Sequence, residues 1–258
     1  MIETLGLTYR YADGRCAVDG VTLAIMPGER VVLLGANGCG KTTLLRLLAG
    51  LLPPTAGSVR YDGGELSAAR LAEREFSRRF RREVALLFQQ PAAMLFNPTV
   101  YDEIAFGPRQ FGLDDVDGRV LRMAGQLRLA EHLTRPPYEL SGGEQQRLAL
   151  AALLVVEPRL LLMDEPTANL DPRSSGWLID FLADLPVTCV ISTHNLSIAA
   201  ELGQRAVVLS ERHQIIYDGA VDELLRRPEV LLAANLLHRH RHRHGGLEHR
   251  HFHAHDWE

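Results

Sequence analysis

VVLLGANGCGKTTLLRLLAG, residues 31–50, reads in order as an apolar strand, a glycine-rich loop and a helix. The run VVLL has no polar alternation, as a strand buried on both faces of a parallel sheet requires. GANGCGKTT, residues 35–43, fits G-x-x-x-x-G-K-[ST] between that strand and the helix LLRLLAG. Glycines let peptide N–H groups curl around phosphate oxygens, and the helix N-terminus adds its dipole. The candidate phosphate-binding residues are therefore Gly35, Asn37, Gly38, Cys39, Gly40, Lys41, Thr42 and Thr43. Lys41 is expected to reach the β- and γ-phosphates, and Thr42 to place its hydroxyl on Mg²⁺. Lys41 is the only lysine among the 28 Lys and Arg residues of the chain, which points to a site where a compact point charge fits and a planar guanidinium does not.

Outward from this stretch, LTYRY (7–11) and VTLAI (21–25) read as short strands ahead of it. Further apolar runs follow at VALLF (84–88), LLLM (160–163), VTCVIS (187–192) and AVVL (206–209). Helical patterns separate most of them, so βαβ units around a parallel sheet are the economical reading. Residues of about 92–156 show helical periodicity, loops and Gly-Pro steps, which suggests an inserted helical subdomain within a domain spanning 1–225. A C-terminal helix is expected over 226–237, and a tail of low complexity, disordered without a ligand, over 238–258.

Composition narrows the function classes. At 258 residues with a formal charge of −4, the chain lacks the basic balance usual for nucleic-acid binding, and no nucleic-acid partner is expected. The arginine-rich ARLAEREFSRRFRRE, residues 69–83, is interleaved with Glu73, Glu75 and Glu83, as on a solvated helix face. Cys16, Cys39 and Cys189 are odd in number and widely spaced, which suits a reducing compartment better than a disulfide framework. The N-terminus lacks the pattern of a signal peptide. The apolar run at 148–156 is about half of a membrane span, so any membrane role is expected through partners.

Two further stretches carry chemistry. RLLLMDEP, residues 159–166, is an apolar strand ending in two carboxylates, and adjacent strand residues face opposite ways. Asp164 then suits indirect Mg²⁺ ligation and Glu165 the orientation and deprotonation of water. In ELSGGEQQRLALAALLVVEP, residues 139–158, Ser141 and Glu144 form a capping box that opens a helix. Gly142 and Gly143 in its first turn each cost about 1 kcal/mol of helix propensity. That cost makes sense where bare backbone approaches a second phosphate group.

Phosphate loop, LSGGEQQR and LLLMDEP stand in the order of the nucleotide-binding subunits of ATP-binding cassette (ABC) transporters, and the chain resembles that family over roughly residues 2–235. The resemblance implies an α/β fold: a P-loop NTPase of ABC type, with an antiparallel β subdomain, a parallel-sheet core and an inserted helical subdomain. It implies an ATPase using ATP and Mg²⁺. Tyr11 resembles the aromatic that stacks on adenine, and Gln89 the loop glutamine that touches Mg²⁺ and relays to membrane subunits. Asp171, closing ANLD, resembles the loop that crosses the dimer, and His194 the histidine at the γ-phosphate. Lys41, Glu165 and His194 are then the catalytic set. The resemblance also implies a second ATPase subunit, like or unlike, whose signature faces this chain's phosphate loop, and integral membrane subunits that hold the pair at the cytoplasmic face.

LFQQPAAMLFNPTVYDEIAFGP (87–108) and RPEVLLAANL (227–236) resemble the ATPases of energy-coupling-factor importers, particularly those for cobalt and nickel, although Pro91-Ala92-Ala93-Met94 replaces their usual P-D-x-Q. The end of the chain, HRHRHRHGGLEHRHFHAHDWE (238–258), holds eight of the 11 histidines. Neutral imidazole is a good ligand for Ni²⁺ and Co²⁺. His238, His240, His242, His244, His249, His251, His253 and His255 are candidate ligands, and their alternation with Arg, Phe and Ala is unlike an affinity tag. The expected function is thus the motor of a Ni²⁺ or Co²⁺ importer. The alternatives are a soluble cassette ATPase in cofactor assembly or DNA transactions, a cassette for another substrate, and a metal-storing protein.

Overall fold

The computed structural model describes residues 1–168, 170–244 and 247–254. In chain order the strands and helices are β1 (Ile2–Arg10), β2 (Cys16–Ile25), β3 (Arg30–Leu34), α1 (Lys41–Leu48), β4 (Ala56–Tyr61), β5 (Gly64–Glu65), α2 (Ala68–Ala72) and α3 (Arg74–Glu83). There follow β6 (Val84–Leu87), α4 (Val100–Phe111), α5 (Val116–Gln126), α6 (Gly142–Leu154), β7 (Leu160–Asp164), α7 (Pro172–Ala183) and β8 (Thr188–Thr193). The last are α8 (Ala199–Leu202), β9 (Arg205–Leu209), β10 (Ile215–Ala220), α9 (Val221–Leu224), α10 (Pro228–Ala233), β11 (Leu237–His244) and β12 (Leu247–Ala254). Among the described residues, no helix is long and apolar enough to cross a membrane.

The chain divides into two compact units, Met1–Ser67 with Val190–Glu258, and Ala68–Cys189. In the first, β2, β1, β4 and β5 form an antiparallel sheet in that order. Residues of β1 alternate: Ile2, Thr4 and Leu7 are buried while Leu5 is 46% exposed. The register slips at Gly6, whose φ is 54°, and this carries the alternation past a bulge. Strands β10, β9 and β3 lie side by side with β8 next to β3. β3 runs parallel to β9, pairing Val31 with Arg205 through Leu34 with Val208. Val31, Val32, Leu33 and Leu34 are at most 1% exposed, as a strand covered on both faces must be. Arg205 ties this arrangement at its edge: it grips Asp218 with Nε and Nη2 at 2.7 and 2.8 Å and gives Nη1 to Glu29 at 2.9 Å.

In the second unit, β6 and β7 pair in parallel, Val84 with Leu160 through Leu87 with Met163. Between them the described residues form helices and turns without a strand. Thr99 caps α4 by accepting from Asp102 N, and Gly112 ends it with φ 60°. The arginine-rich α3 buries Phe76 and Phe80, stacked at 6.0 Å, while Arg70 lies 4.3 Å over the Phe76 ring. Burying Phe80 to 1% exposure contributes about 2–3 kcal/mol. The arginines are engaged along the unit itself: Arg78 donates to Phe111 O, Arg81 to Ser77 Oγ, and Arg79 pairs with Glu83.

The tail, expected to be disordered without a ligand, has extended backbone: β11 pairs antiparallel with β12, placing His238 opposite His253, His240 opposite His251 and His242 opposite His249. An alternating sequence has the period of a strand. His255 lies outside the described residues.

Candidate active site

The loop after β3 needs glycine for packing and for conformation alike. Gly35, Gly38 and Gly40 have φ of 155°, 83° and 109°. A Cβ on Gly35 would stand 2.5 Å from Cys39 Sγ and 2.7 Å from Leu209 O, and one on Gly40 only 1.9 Å from Ala17 O. The loop therefore lies against β2 and β9 with its backbone bare. The N-cap of α1 is Gly40, which brings no side chain to cap the helix, and a helix N-terminus of that kind suits an anion. Lys41 is 6% exposed and donates from Nζ to Gly35 O at 2.7 Å and Ala36 O at 3.3 Å. Thr42, the next helical residue, is half-buried.

Tyr11 comes to the same place. Its hydroxyl lies 2.8 Å from Thr43 Oγ1, with Tyr9 edge-on at 5.1 Å and the Arg15 guanidinium 5.6 Å over the ring. His194 follows β8 in a turn held by short-range bonds: Asn195 N donates to Thr193 Oγ1 at 3.1 Å and Ser197 N to Asn195 Oδ1 at 2.8 Å. One residue that sequence reasoning passes over also belongs to the loop. His213, in the turn between β9 and β10, meets Cys39 O through Nδ1 at 3.0 Å. A lone histidine in an SERHQ turn carries no sequence signal of that contact.

In the second unit Asp164 ends β7 at 3% exposure, and Glu165 follows at 6%. Glu165 has left the strand, with φ 48°, so a left-handed turn and not the strand pleat separates the two carboxylates. For a residue with a Cβ that conformation costs about 1–2 kcal/mol, a cost that tends to sit at functional positions. Ala168 N closes the turn on Glu165 O at 3.0 Å. Gln146, 5% exposed in α6, donates to Pro166 O at 3.1 Å and fixes this turn to that helix.

Ser141 and Glu144 form the expected capping box: Ser141 N and Oγ donate to Glu144 Oε2 at 2.8 and 2.7 Å. Those bonds hold the Glu144 carboxyl below the usual range, the hydroxyl contributing most, and His132 adds to this from 3.1 Å. Gly142 has open space where a Cβ would go, whereas a Cβ on Gly143 would come within 3.0 Å of Ser174 Oγ. Gly142 thus offers bare backbone outward, while a side chain at Gly143 would press on the Ser174 hydroxyl of α7. Asp171 caps α7, accepting from Arg173 N and Ser174 N at 3.0 and 3.1 Å. The Ser174 hydroxyl is the main cause of its lowered carboxyl pKa. Gln89 is exposed after β6 and shares with Gly142, Gln146 and Ala168 a cavity of about 250 Å³. Pro91, Ala92 and Ala93 line it from a 3-10 turn that runs to Met94, whose Sδ accepts from Phe88 N.

A glycine loop that a Cβ would fill, an uncapped helix start and a buried lysine ammonium are the donor set that nucleotide phosphates require, and they define a P-loop nucleotide-binding protein. The profile of the family described as ABC transporter matches residues 18–168, and the chain belongs to that family. It is 36% identical over 241 residues to the energy-coupling factor transporter ATP-binding protein EcfA of Methanothermobacter thermautotrophicus, covering 92% of this chain and 76% of that one. The fold is similar to cbiO1 of Clostridium perfringens, part of the ABC transporter complex cbiONQ, with TM-score 0.77, 31% identity and coverage of 91% and 94% of the two chains. It is also similar to the ATP-binding cassette MJ0796 in a dimeric post-hydrolysis state bound to ADP and Pi, with TM-score 0.75, 28% identity and coverage of 86% and 99%. The chain is accordingly an ABC ATPase, the nucleotide-driven subunit of a transporter.

Proposed function

We propose that this ATPase drives the import of Ni²⁺ or Co²⁺ as a peripheral subunit at the cytoplasmic face of the membrane. The observation that carries the metal is the pairing of a nucleotide cassette with a histidine-rich end, residues 238–258. The likeness to EcfA and to a member of a cbiONQ complex supports an importer of the energy-coupling kind. The tail histidines His238, His240, His242, His244, His249, His251, His253 and His255 are the proposed ligands of the transported metal.

At the nucleotide, residues 35–43 hold the phosphates through backbone N–H groups, and Lys41 supplies the fixed positive charge. Tyr11 packs on the adenine. Thr42, Gln89 and Asp164 are the residues that would hold Mg²⁺, which would supply positive charge to offset that of the phosphates. Glu165 orients the attacking water and accepts its proton, and His194 donates to the γ-phosphate. Ser141, Gly142, Gly143 and Glu144 of a second cassette subunit close the site, with Asp171 at the crossing. Hydrolysis therefore needs two cassettes.

Purification in mild detergent tests this reading. Small integral membrane proteins should co-purify with the chain and make its ATPase respond to added Ni²⁺ or Co²⁺. Recovery with soluble partners alone, and no metal response, would overturn it.

A further inference from the structure

We propose that His213 is a positioning residue of the phosphate loop, holding the Cys39–Gly40 peptide so that the Gly40 N–H faces the nucleotide. The inference rests on reading residues 35–43 as the phosphate cradle. His213 Nδ1 lies 3.0 Å from Cys39 O. A carbonyl oxygen only accepts, so Nδ1 carries the proton and Nε2 is the bare nitrogen of the neutral ring. The peptide bonds of the described residues are not cis, and in a trans peptide the C=O and the following N–H point in opposite directions. Anchoring Cys39 O on the imidazole therefore turns the Gly40 N–H away from it. That N–H has no acceptor among the described residues. It is the donor a phosphate oxygen takes at the start of α1.

The histidine is itself held. Its φ is 64°, a conformation that residues with a Cβ adopt rarely. Its N–H donates to Ser210 O at 2.9 Å, and its C=O accepts from Asp19 N at 3.0 Å. The neighbouring Gln214 Nε2 donates to Asp19 Oδ2 at 2.7 Å. Asp19 of β2 thus fixes the turn from two directions, and the turn presents the ring to the loop. The place where a Gly40 Cβ would fall is bounded by Ala17 O at 1.9 Å and by His213 Nδ1 at 3.8 Å. Beneath Gly40 the nearest groups are thus the Ala17 carbonyl of β2 and the His213 ring, and an unanchored Cys39–Gly40 peptide could rotate its N–H out of line with the phosphate.

The test uses the full chain titrated with Mg·ADP by calorimetry, and ATPase assays of the same samples. H213N keeps a donor on Cγ where Nδ1 stands, and asparagine tolerates positive φ. H213G removes the ring and relaxes the backbone, while H213D keeps the shape but turns an acceptor on Cys39 O. H213N should bind within about twofold of the wild type, and H213G roughly 3- to 10-fold more weakly, as for one lost hydrogen bond. H213D should bind more weakly still. KM for ATP should rise in H213G while kcat stays within about twofold, and the nucleotide-free melting temperatures of H213N and H213G should agree. Wild-type affinity in H213G, or an H213N as weak as H213G, overturns the proposal. K41A separates the two levels: if it loses Mg·ADP while H213G keeps full affinity, the role of His213 alone falls. If K41A binds as the wild type does, the cradle reading falls and the role of His213 with it.

Discussion

The ammonium of Lys41 donates to the carbonyl of Gly35, 2.7 Å away, so the single cation of residues 35–43 is anchored on the first residue of that stretch. The ring this makes is tight, since Lys41 is 6% exposed and Gly35 has Cys39 Sγ and Leu209 O where a Cβ would stand. A guanidinium is wider than an ammonium and forks in a plane. K41R should therefore lose nucleotide affinity by more than about tenfold although the charge is kept, which is over 1.4 kcal/mol. Calorimetry with Mg·ADP measures it, and unaltered affinity would contradict the cradle.

Gly40→Ala tests the packing beneath the same loop. The added methyl would meet Ala17 O at 1.9 Å, a backbone atom in β2 that no rotamer change can move, at a φ of 109°. The expected loss is about 2 kcal/mol or more of stability, together with nucleotide binding. A wild-type melting temperature with wild-type affinity would show that the loop yields.

Glu165→Gln should still bind ATP and hydrolyse it at least about 10²-fold more slowly, because the proton acceptor is lost while the phosphate contacts remain. The variant should accumulate as an ATP-bound dimer on size exclusion. Near-normal turnover would move the base elsewhere, with His194 the first alternative.

Glu144 gives a pH dependence whose sign is fixed. Its carboxyl is held low, chiefly by the Ser141 hydroxyl, then by the Ser141 N–H, and further by His132. A depressed folded pKa means that the stabilisation is fully present above the ordinary glutamate value, about 4.3, and is lost as the pH falls through the folded one. The difference in melting temperature between the wild type and E144Q should then be largest near neutrality and shrink in acid. A difference constant with pH would assign the cost of E144Q to lost packing.

Much of this fold is legible in the sequence because its signals are local. A glycine loop between an apolar run and a helix, a capping box, and apolar strands buried on both faces need only neighbours along the chain, and β3, α1, α6 and β7 lie where those signals put them. The left-handed turn at Glu165 is not legible, because the pleat that separates neighbouring side chains holds only within a strand, and β7 ends one residue earlier. Nor is the contact that a side chain at Gly143 would make with Ser174, on a helix farther along the chain. His213 is invisible for the same physical reason: it sits 174 residues from Cys39, and such a contact has no periodicity to betray it.

The metal assignment stands or falls on transport itself. The direct measurement is uptake of radioactive Ni²⁺ and Co²⁺ into vesicles carrying this chain with its co-purifying membrane subunits, with the E165Q variant and a chain lacking residues 238–258 alongside. The account predicts ATP-dependent uptake of one of these ions, abolished by E165Q and weakened at scarce metal by loss of the tail, since neutral imidazole is the ligand such ions take near pH 7. ATP hydrolysis by the assembled complex that moves neither ion, with or without the tail, would contradict it.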